Sequence, residues 1–217
     1  TWRPLRRIVV RANLAPQAAQ YLAPVAAGAH IVVAATPAEA LAAAPGADAF
    51  LGFCEADLLA AAPGTRWVQA FSAGIEKCVA LPAIRTRGIV VTNMQRARGP
   101  PMAEHAIALL LALARHLDVY IARGAAGRWD DSPGPGAPVQ VLAGKTLLVA
   151  GLGGIGTEVA RLAHALGMRV IATRASDRPG PPFVEQVGKP ADLLPFAARA
   201  DAVVAALPLT AETRGLF

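Results

Sequence analysis

The sequence predicts an α/β protein built on mostly parallel sheets, and three observations lead to this fold class. Short runs rich in β-branched residues alternate with alanine- and leucine-rich stretches of helical length, which is the pattern of parallel α/β folds. The chain has 217 residues, of which 54% are hydrophobic, so it can bury the core of one large domain or two modest ones. A glycine-rich turn also follows one apolar strand and opens a helix, as in doubly wound sheets.

The elements predicted before residue 139 are strands separated by helices, then one long helix. A single helix is predicted from about Met102 to Arg123, because Gly99-Pro100-Pro101 suits a helix entry. Turn-forming residues dominate Gly124 to Pro138, so this stretch predicts a domain boundary or a mobile connection. The predicted strands are Ile8–Ala12, Ile31–Ala34, Ala49–Phe53, Trp67–Phe71 and Ile89–Thr92, and the predicted helices include Pro16–Ala27 and Glu55–Ala62.

Composition argues against two classes of partner. The formal net charge is +6, but the basic residues are scattered and aromatic residues make up only 5% of the chain, whereas nucleic-acid modules concentrate basic residues and interleave aromatics. The longest uninterrupted apolar run, 106–114, is far shorter than the ~18 residues of a membrane span. The sequence therefore predicts no nucleic-acid partner and no membrane span, and it indicates a cytoplasmic protein.

The two cysteines give no indication of a scaffold or a metal site. Cys54 and Cys78 are too few for a disulfide framework and stand in no metal-ligand spacing. We therefore expect two buried thiols and no metal site.

The strongest motif is the glycine turn that begins at Gly151. A predicted strand from Thr146 to Ala150 precedes it, and a second strand from Arg169 to Thr173 follows the helix, so the turn has the βαβ context that dinucleotide binding requires. In such a turn the first glycine permits the tight bend, the second lets the backbone approach the pyrophosphate, and the third allows close helix packing. The candidate phosphate-binding residues are Gly151, Gly153, Gly154, Ile155 and Gly156.

Cofactor choice is predicted from the end of the second strand. An NAD site has an Asp or Glu there to bind the ribose hydroxyls, but this chain has Thr173-Arg174-Ala175-Ser176. A guanidinium suits a 2′-phosphate, and the hydroxyls of Thr173 and Ser176 would add donors. We therefore expect NADP(H) to be preferred, with NAD(H) as the alternative cofactor and a solvated surface arginine as the alternative interpretation of Arg174.

Four motifs in order resemble the D-isomer-specific 2-hydroxyacid dehydrogenases, the family of the glyoxylate/hydroxypyruvate reductases. The resemblance covers nearly the whole chain, and the glycine turn is one of the four motifs. The other three are Phe71 to Glu76, Val91-Thr92-Asn93 followed by Met102 to His105 and an apolar helix, and Ala206 to Leu216, which resembles the segment after the third strand of the nucleotide domain.

The resemblance implies a fold and several site residues. It implies a flavodoxin-like substrate domain at 1–101, a linking and dimerisation helix with its connection at 102–138, and the first half of a Rossmann NAD(P)-binding domain at 139–217. By the same resemblance, the backbone amides of Ala73 and Gly74 would receive the substrate carboxylate. Met102 would lie near the nicotinamide, and Leu207 and Pro208 would pass the nicotinamide ribose. The family usually has Asp where Glu76 stands and often Val where Met102 stands.

The resemblance places the catalytic Arg, Glu and His of the family beyond Phe217, so no catalytic residue is assigned in this chain. His105 and His164 are expected to be packing residues. The function implied is NAD(P)-dependent reduction of a 2-keto acid to a D-2-hydroxy acid, or the reverse oxidation, in a homodimer. The alternative is a catalytically inactive dinucleotide-binding dimer or a corepressor-like binding protein.

One further expectation concerns the 217-residue chain made alone. We predict that it is inactive, because it would lack the family's acid/base group and substrate-orienting Arg. We also predict that it is poorly stable, because the strand from Thr146 to Ala150 would be left as an exposed apolar edge without its later partner strands.

Overall fold

A computed structural model describes residues 3–12, 17–26, 28–95, 97–130, 132 and 138–217. The chain divides into two compact units, residues 1–95 and 96–217. Each unit holds a parallel sheet with helices, which confirms the predicted α/β class. Arg96 and most of the turn-forming residues of the connection, Asp131 and 133–137, lie outside the described residues.

The first unit is built on a parallel sheet with the strand order β2-β1-β3-β4-β5, which is the flavodoxin-like order. Its middle strands are apolar on both faces, as parallel strands covered by helices must be. Val9, Phe50 and Val68 are each at most 1% exposed. The elements are β1 (Arg7–Arg11), α1 (Ala18–Leu22), β2 (His30–Ala34), α2 (Pro37–Ala43), β3 (Ala49–Leu51), α3 (Ala56–Ala61), β4 (Trp67–Gln69), α4 (Glu76–Val79), α5 (Pro82–Thr86) and β5 (Val90–Thr92).

Local chemistry fixes where the helices of this unit begin and end. The Thr36 hydroxyl accepts a hydrogen bond from the backbone N–H of Glu39, and Pro37 takes the first helical position of α2, both of which favour a helix start. The Arg87 guanidinium donates to carbonyl oxygens at and beyond the end of α3, including Leu59 and Ala62 at 2.7 and 2.8 Å. These carbonyls would otherwise have no partner after the last helical turn.

The prediction of two free thiols is wrong. Cys54 and Cys78 form a disulfide, with Cα atoms 5.5 Å apart, which lies within the range that disulfides span. Cys54 comes soon after β3 and Cys78 lies in α4, which follows β4. Because β3 and β4 are neighbours in the sheet, the fold brings together two cysteines that a spacing of 24 residues does not associate.

The second unit has the strand order β8-β7-β6-β9. Leu147, Leu148 and Val149 of β6 are fully buried, and the adjacent helices pack against this strand. The elements are α6 (Gly99–Ala114), α7 (Leu117–Ala125), β6 (Thr146–Ala150), α8 (Gly154–Ala165), β7 (Arg169–Thr173), β8 (Gln186–Gly188), α9 (Leu193–Ala197) and β9 (Ala202–Ala205), with a short 3-10 helix at Pro190–Asp192.

The prediction that β6 is an exposed edge is therefore wrong. β9 pairs with β6 in parallel, with Leu148 opposite Val203, so β6 is central and β9 lies at the edge. The strand β8 has only three residues, Gln186 to Gly188, and so short a run does not predict a strand. The segment that begins at Ala206 accordingly follows the fourth strand of this sheet and not the third.

The single long helix predicted from Met102 to Arg123 is two helices. His116 adopts a left-handed conformation with φ 50°, which ends one helix and begins the next. Among the described residues no single helix is long and apolar enough to span a membrane. The helices α6 and α7 meet that length and composition criterion only as a pair bent by 75°.

Candidate functional site

The glycine turn lies at the carboxyl end of β6, the central strand of the second sheet. Gly151 has φ 100°, a conformation that side chains rarely allow. The backbone N–H groups of Gly151 and Leu152 donate to the carbonyl of Thr173, at 3.0 and 3.2 Å. Gly153 then precedes α8, which starts at Gly154. The turn is thus fixed to the end of β7 and directs the start of α8 toward the carboxyl edge of the sheet.

The glycines of the turn differ in the space around them. A Cβ on Gly156 would overlap the carbonyl oxygen of Gly151 and lie 3.0 Å from Val149 Cγ1. A Cβ on Gly151 would lie 2.6 Å from the carbonyl oxygen of Ala206. A Cβ on Gly153 would meet nothing within 4 Å. Gly151 and Gly156 are therefore required by the protein's own packing, whereas Gly153 leaves its side of the turn open to a ligand.

The first turn of α8 can bind an anion. Backbone N–H groups in the first turn of a helix have no intrahelical acceptor, and the positive end of the helix dipole lies there. Those of Gly154 and Ile155 stand at this position. Such a start suits a phosphate group.

Arg174 follows β7 and is held by backbone carbonyls of its own unit. Its Nη1 donates to the carbonyls of Arg178 and Pro179, at 3.1 and 3.2 Å, and its Nη2 donates to that of Leu152 at 2.9 Å. Its Nε is buried, and within the described residues it has no partner. Thr173 is only 3% exposed, while Ser176 is exposed. Arg174 therefore joins the glycine turn to the loop after β7 and is not a freely solvated side chain.

Lys189 is a basic residue that the sequence analysis missed at this end of the sheet. Its ammonium group contacts the carboxylate of Asp177 and lies 3.5 Å from the carbonyl oxygen of Ala175. The hydrogen bond from Lys189, together with its positive charge, lowers the pKa of Asp177. Lys189 directly follows β8, and because this short strand was not predicted, nothing in the sequence placed the residue beside the Arg174 loop.

The other predicted cofactor residues of the second unit lie in two places. Leu207 follows β9 and packs beside the buried cluster of Leu148 and Ala150, close to Gly151. Pro208 is exposed, and its carbonyl accepts a hydrogen bond from the Thr213 hydroxyl at 2.6 Å. Met102 lies in the first part of α6 and is 47% exposed. The structure thus brings Leu207 to the glycine turn. It also places the start of α6 there, since a Cβ on Gly99, three residues before Met102, would lie 3.3 Å from the carbonyl oxygen of Gly154.

The predicted substrate loop lies in the first unit, after β4. The Ser72 hydroxyl donates to the carbonyl of Gly74 at 2.6 Å, and the Asn93 side-chain amide donates to that of Ala73 at 2.8 Å. The N–H of Met94 donates to the carbonyl of Ser72 at 3.1 Å. Among the hydrogen bonds between described residues, none uses the N–H of Ala73 or Gly74. These two donors are available to a ligand.

This loop forms one wall of a cavity of about 380 Å³ in the first unit. Residues 52–55 line one side, and residues 70–72 and 74–78 line the other. A larger hollow of about 440 Å³ lies in the second unit, lined by residues such as Thr146, Arg169 and Gln186. These residues begin β6, β7 and β8, so this hollow is at the amino edge of the sheet. Ligands of parallel α/β sheets bind at the carboxyl edge, so the larger hollow is not the candidate cofactor site.

The four histidines do not form a recognisable acid–base group. His105 and His164 were predicted to pack, but both are exposed, because each lies on the solvent side of its helix. The ring of His164 lies 6.3 Å from that of Phe183. His30 lies 3.3 Å from an Arg7 nitrogen, and His116 is the left-handed residue between α6 and α7.

Comparisons with known proteins identify the family. Residues 107–217, just over half of the chain, match the family model described as the NAD binding domain of the D-isomer specific 2-hydroxyacid dehydrogenases. The chain belongs to this family. The resemblance found in the sequence is thereby confirmed.

Relatives of this 2-hydroxyacid dehydrogenase chain agree with that assignment. It is 39% identical to D-3-phosphoglycerate dehydrogenase 2, chloroplastic, from Arabidopsis thaliana over 142 residues, which is 64% of this chain and 22% of that protein. A crystal structure of a D-isomer specific 2-hydroxyacid dehydrogenase family protein from Aeromonas salmonicida matches 98% of this chain and 67% of its own, with a TM-score of 0.80 and 28% identity.

A second solved structure has a bound cofactor. It is an NADPH-dependent glyoxylate/hydroxypyruvate reductase from Sinorhizobium meliloti, in complex with NADP and sulfate. Its TM-score is 0.75 at 26% identity, and the match covers 98% of this chain and 65% of that one. The chain therefore spans about a fifth of the length of the Arabidopsis relative and about two thirds of the two solved structures.

Proposed function

We propose that the protein is an NAD(P)-dependent oxidoreductase that reduces a small 2-keto acid to a D-2-hydroxy acid, or catalyses the reverse oxidation. The glycine turn supports this proposal most strongly. The space beside Gly153 contains no protein atom within 4 Å of an added Cβ, and the first turn of α8 begins at the next residue, at the carboxyl edge of the sheet. The turn fits a dinucleotide pyrophosphate, which Gly153, Gly154 and Ile155 would hold through their backbone N–H groups. A bound nicotinamide would supply the hydride.

The substrate carboxylate is proposed to bind at the loop after β4. The N–H groups of Ala73 and Gly74 make no hydrogen bonds to described residues, whereas the carbonyls of Ser72, Ala73 and Gly74 all do. A loop fixed through its carbonyls presents its N–H groups without further reorganisation, which favours binding of an anion.

NADP(H) is proposed as the preferred cofactor. Arg174 and Lys189 both lie at the loop after β7, and the nearby carboxylate, Asp177, is already neutralised by Lys189. A 2′-phosphate would meet the positive charge of Arg174 there and would compete with Asp177 for the ammonium group of Lys189, with the exposed hydroxyl of Ser176 as a further donor. The buried Arg174 Nε has no partner among the described residues.

Titration of the purified protein with NADPH and NADH, followed by nicotinamide fluorescence, tests this preference. We expect NADPH to bind about 10- to 150-fold more tightly, the range of one or two charge-assisted contacts. Lys189→Gln should reduce the ratio without changing the fold, and Arg174→Asp should erase or reverse it. Equal affinities for the two cofactors in the unmodified protein would contradict the preference.

A homodimer is proposed through the first helices of the second unit. Leu109 and Leu113, one helical turn apart on α6, are 54% and 74% exposed, and Ile121 of α7 is 67% exposed. Exposed apolar residues on one helix face mark interaction sites. Leu113→Asp should convert the dimer to a monomer in sedimentation experiments. A monomeric unmodified protein would contradict this part of the proposal.

An assay decides between the enzyme and an inactive dinucleotide-binding protein. Oxidation of NADPH that depends on glyoxylate or hydroxypyruvate is expected of the intact gene product, because the family's catalytic Arg, Glu and His are not assigned in this chain. Tight NADPH binding without turnover of any 2-keto acid would favour the binding protein. We propose a cytoplasmic location and neither a nucleic-acid nor a membrane partner, on the charge distribution and hydropathy of the sequence.

A further inference from the structure

We propose that the Cys54–Cys78 disulfide is a reversible thiol–disulfide site that controls the order of the substrate loop at residues 72–75. Both cysteines line the cavity of about 380 Å³, and the bond joins the segment that follows β3 to the segment that follows β4. These segments also meet where the Phe71 ring packs against Gly52. The bond adds a covalent link between them.

The loop depends on this bond at one of its two ends. Before and within the loop, hydrogen bonds from Asn93 and Met94 fix the carbonyls of Ala73 and Ser72. After the loop the chain enters α4, which has only four residues, and a helix of this length is not stable without tertiary support. Cys78, at 5% exposure, packs in the buried cluster of the first unit, and the disulfide attaches α4 covalently to the segment after β3. Breaking the disulfide removes the covalent part of this support and leaves α4 held by packing alone.

A small dithiol can reach the bond from the cavity. Cys54 is partly exposed and lines the cavity, whereas Cys78 is buried. A thiolate of the dithiol attacks Cys54 Sγ, the Cys54–Cys78 bond breaks, and Cys78 leaves as a thiolate that takes a proton from water. The second thiol of the reagent then displaces Cys54, so the dithiol is oxidised to a disulfide and the protein gains two thiols. In cytosolic proteins disulfides are commonly of this reversible kind.

Reduction is expected to weaken keto-acid binding and to leave dinucleotide binding unchanged. This consequence depends on the proposed function, since it takes Ala73 and Gly74 as the carboxylate donors. A loop that keeps its binding-competent conformation for about a tenth of the time binds about tenfold more weakly. The glycine turn belongs to the other unit, so NADPH affinity serves as an internal control.

The test compares the purified protein before and after treatment with dithiothreitol. Alkylation with iodoacetamide and mass spectrometry should find no reactive thiols before treatment and two after it, and the bond should re-form when the reductant is removed. Hydrogen exchange should then show faster exchange of residues 72–80 in the reduced form. The Kd for hydroxypyruvate should rise about tenfold, while the Kd for NADPH stays within about twofold.

Two variants separate the disulfide from other supports of the loop. The double variant Cys54→Ser/Cys78→Ser should show the properties of the reduced protein and no response to dithiothreitol. Asn93→Ala removes one of the hydrogen bonds that hold the loop, so it should speed exchange in the loop while keeping the response to reductant. If the double variant does not fold, the two redox forms of the unmodified protein still decide the question.

The outcomes distinguish this proposal from the proposed function. Equal exchange of residues 72–80 in the oxidised and reduced forms would overturn the disulfide proposal, whatever the activity, and so would a bond that does not re-form. If exchange changes but neither redox form binds hydroxypyruvate, the disulfide controls the loop and the proposed substrate site at Ala73 and Gly74 fails.

Discussion

At the amino edge of each sheet, an aspartate carboxylate accepts hydrogen bonds from backbone N–H groups of a neighbouring strand. In the first unit, Asp48 precedes β3 and accepts hydrogen bonds from the N–H groups of Arg6 and Arg7, at 2.6 and 3.2 Å. In the second, Asp201 precedes β9 and accepts one from the N–H of Thr146 at 2.8 Å. Each carboxylate thus joins the start of one strand to the start of its parallel neighbour. The similarity shows that the amino edges have a structural role in both units.

The carboxyl edges of the two sheets differ. In the first unit Gly52 has φ 85°, and the ring of Phe71 fills the space where its side chain would stand. Beyond it lie the disulfide and the cavity. In the second unit, Gly151 bends the chain into a turn whose next glycine, Gly153, faces open space. The same parallel arrangement therefore supports a side-chain-lined cavity in one unit and a backbone turn for an anion in the other.

Among the substitutions that test this difference between the two carboxyl edges, Gly156→Ala is expected to have the largest effect on stability. A Cβ there would overlap the Gly151 carbonyl, and a backbone atom cannot move aside as a side chain can. Gly156→Ala should lower the free energy of unfolding of the second unit by about 3 kcal/mol or more, beyond the usual cost of overpacking. Hydrogen exchange of β6 and α8 measures this loss of stability, because exchange rates report on each unit separately.

Gly153→Ala is the matched control, because the added methyl group would meet no protein atom within 4 Å. It should leave hydrogen exchange of β6 unchanged and weaken NADPH binding by at least about tenfold, since the methyl group would occupy space near the pyrophosphate. Equal loss of stability in the two variants would show that the two glycines have no separate roles.

A smaller effect is expected at Gly52 in the first unit. Gly52→Ala places a methyl group against the movable ring of Phe71 and 2.9 Å from Arg11 Cβ, in a left-handed conformation. We expect a loss of about 2–3 kcal/mol in the unfolding free energy, from overpacking and backbone strain together. Gly46→Ala shares the left-handed conformation but meets only Arg7 Cδ at 4.0 Å. Gly46→Ala should lower the free energy of unfolding by only about 1 kcal/mol. Urea unfolding of both variants measures the difference.

The sequence predicts the parts of this fold that local pattern determines. The strands from Thr146 to Ala150 and from Arg169 to Thr173 are apolar runs flanking a glycine turn, and the structure has them with these bounds. Three features depend on neighbours that are distant in sequence or on an unusual conformation, and they were not predicted. The disulfide follows from the pairing of β3 with β4, Lys189 follows the short strand β8, and the break between α6 and α7 requires a left-handed histidine.

The carboxylates at the amino edges give a prediction for acid. Burial raises the pKa of Asp48, but hydrogen bonds from the N–H groups of Arg6 and Arg7 and the charge of Arg66 outweigh it, so the pKa is lowered. The stability from this group is present above the unfolded pKa of ~3.9 and is lost as the pH falls through the folded pKa. Asp48→Asn should lower the free energy of unfolding by about 1–2 kcal/mol at pH 7. Below about pH 4 the variant should lose less stability than the unmodified protein does. Urea unfolding between pH 7 and pH 3 measures both effects.

The smallest effect is expected for Asp201→Asn in the second unit. The hydrogen bond from the N–H of Thr146 lowers the pKa of Asp201, and the ammonium group of Lys145 adds to the effect. The sign is the same as for Asp48, so stability is present above the unfolded pKa and falls in acid. The side chain of Asp201 is 40% exposed, against 21% for Asp48, and solvent weakens exposed charge interactions. Asp201→Asn should therefore destabilise the protein less than Asp48→Asn at pH 7, and added salt should reduce its effect more. A larger loss for Asp201→Asn, unaffected by salt, would show that the two carboxylates do not have the same role.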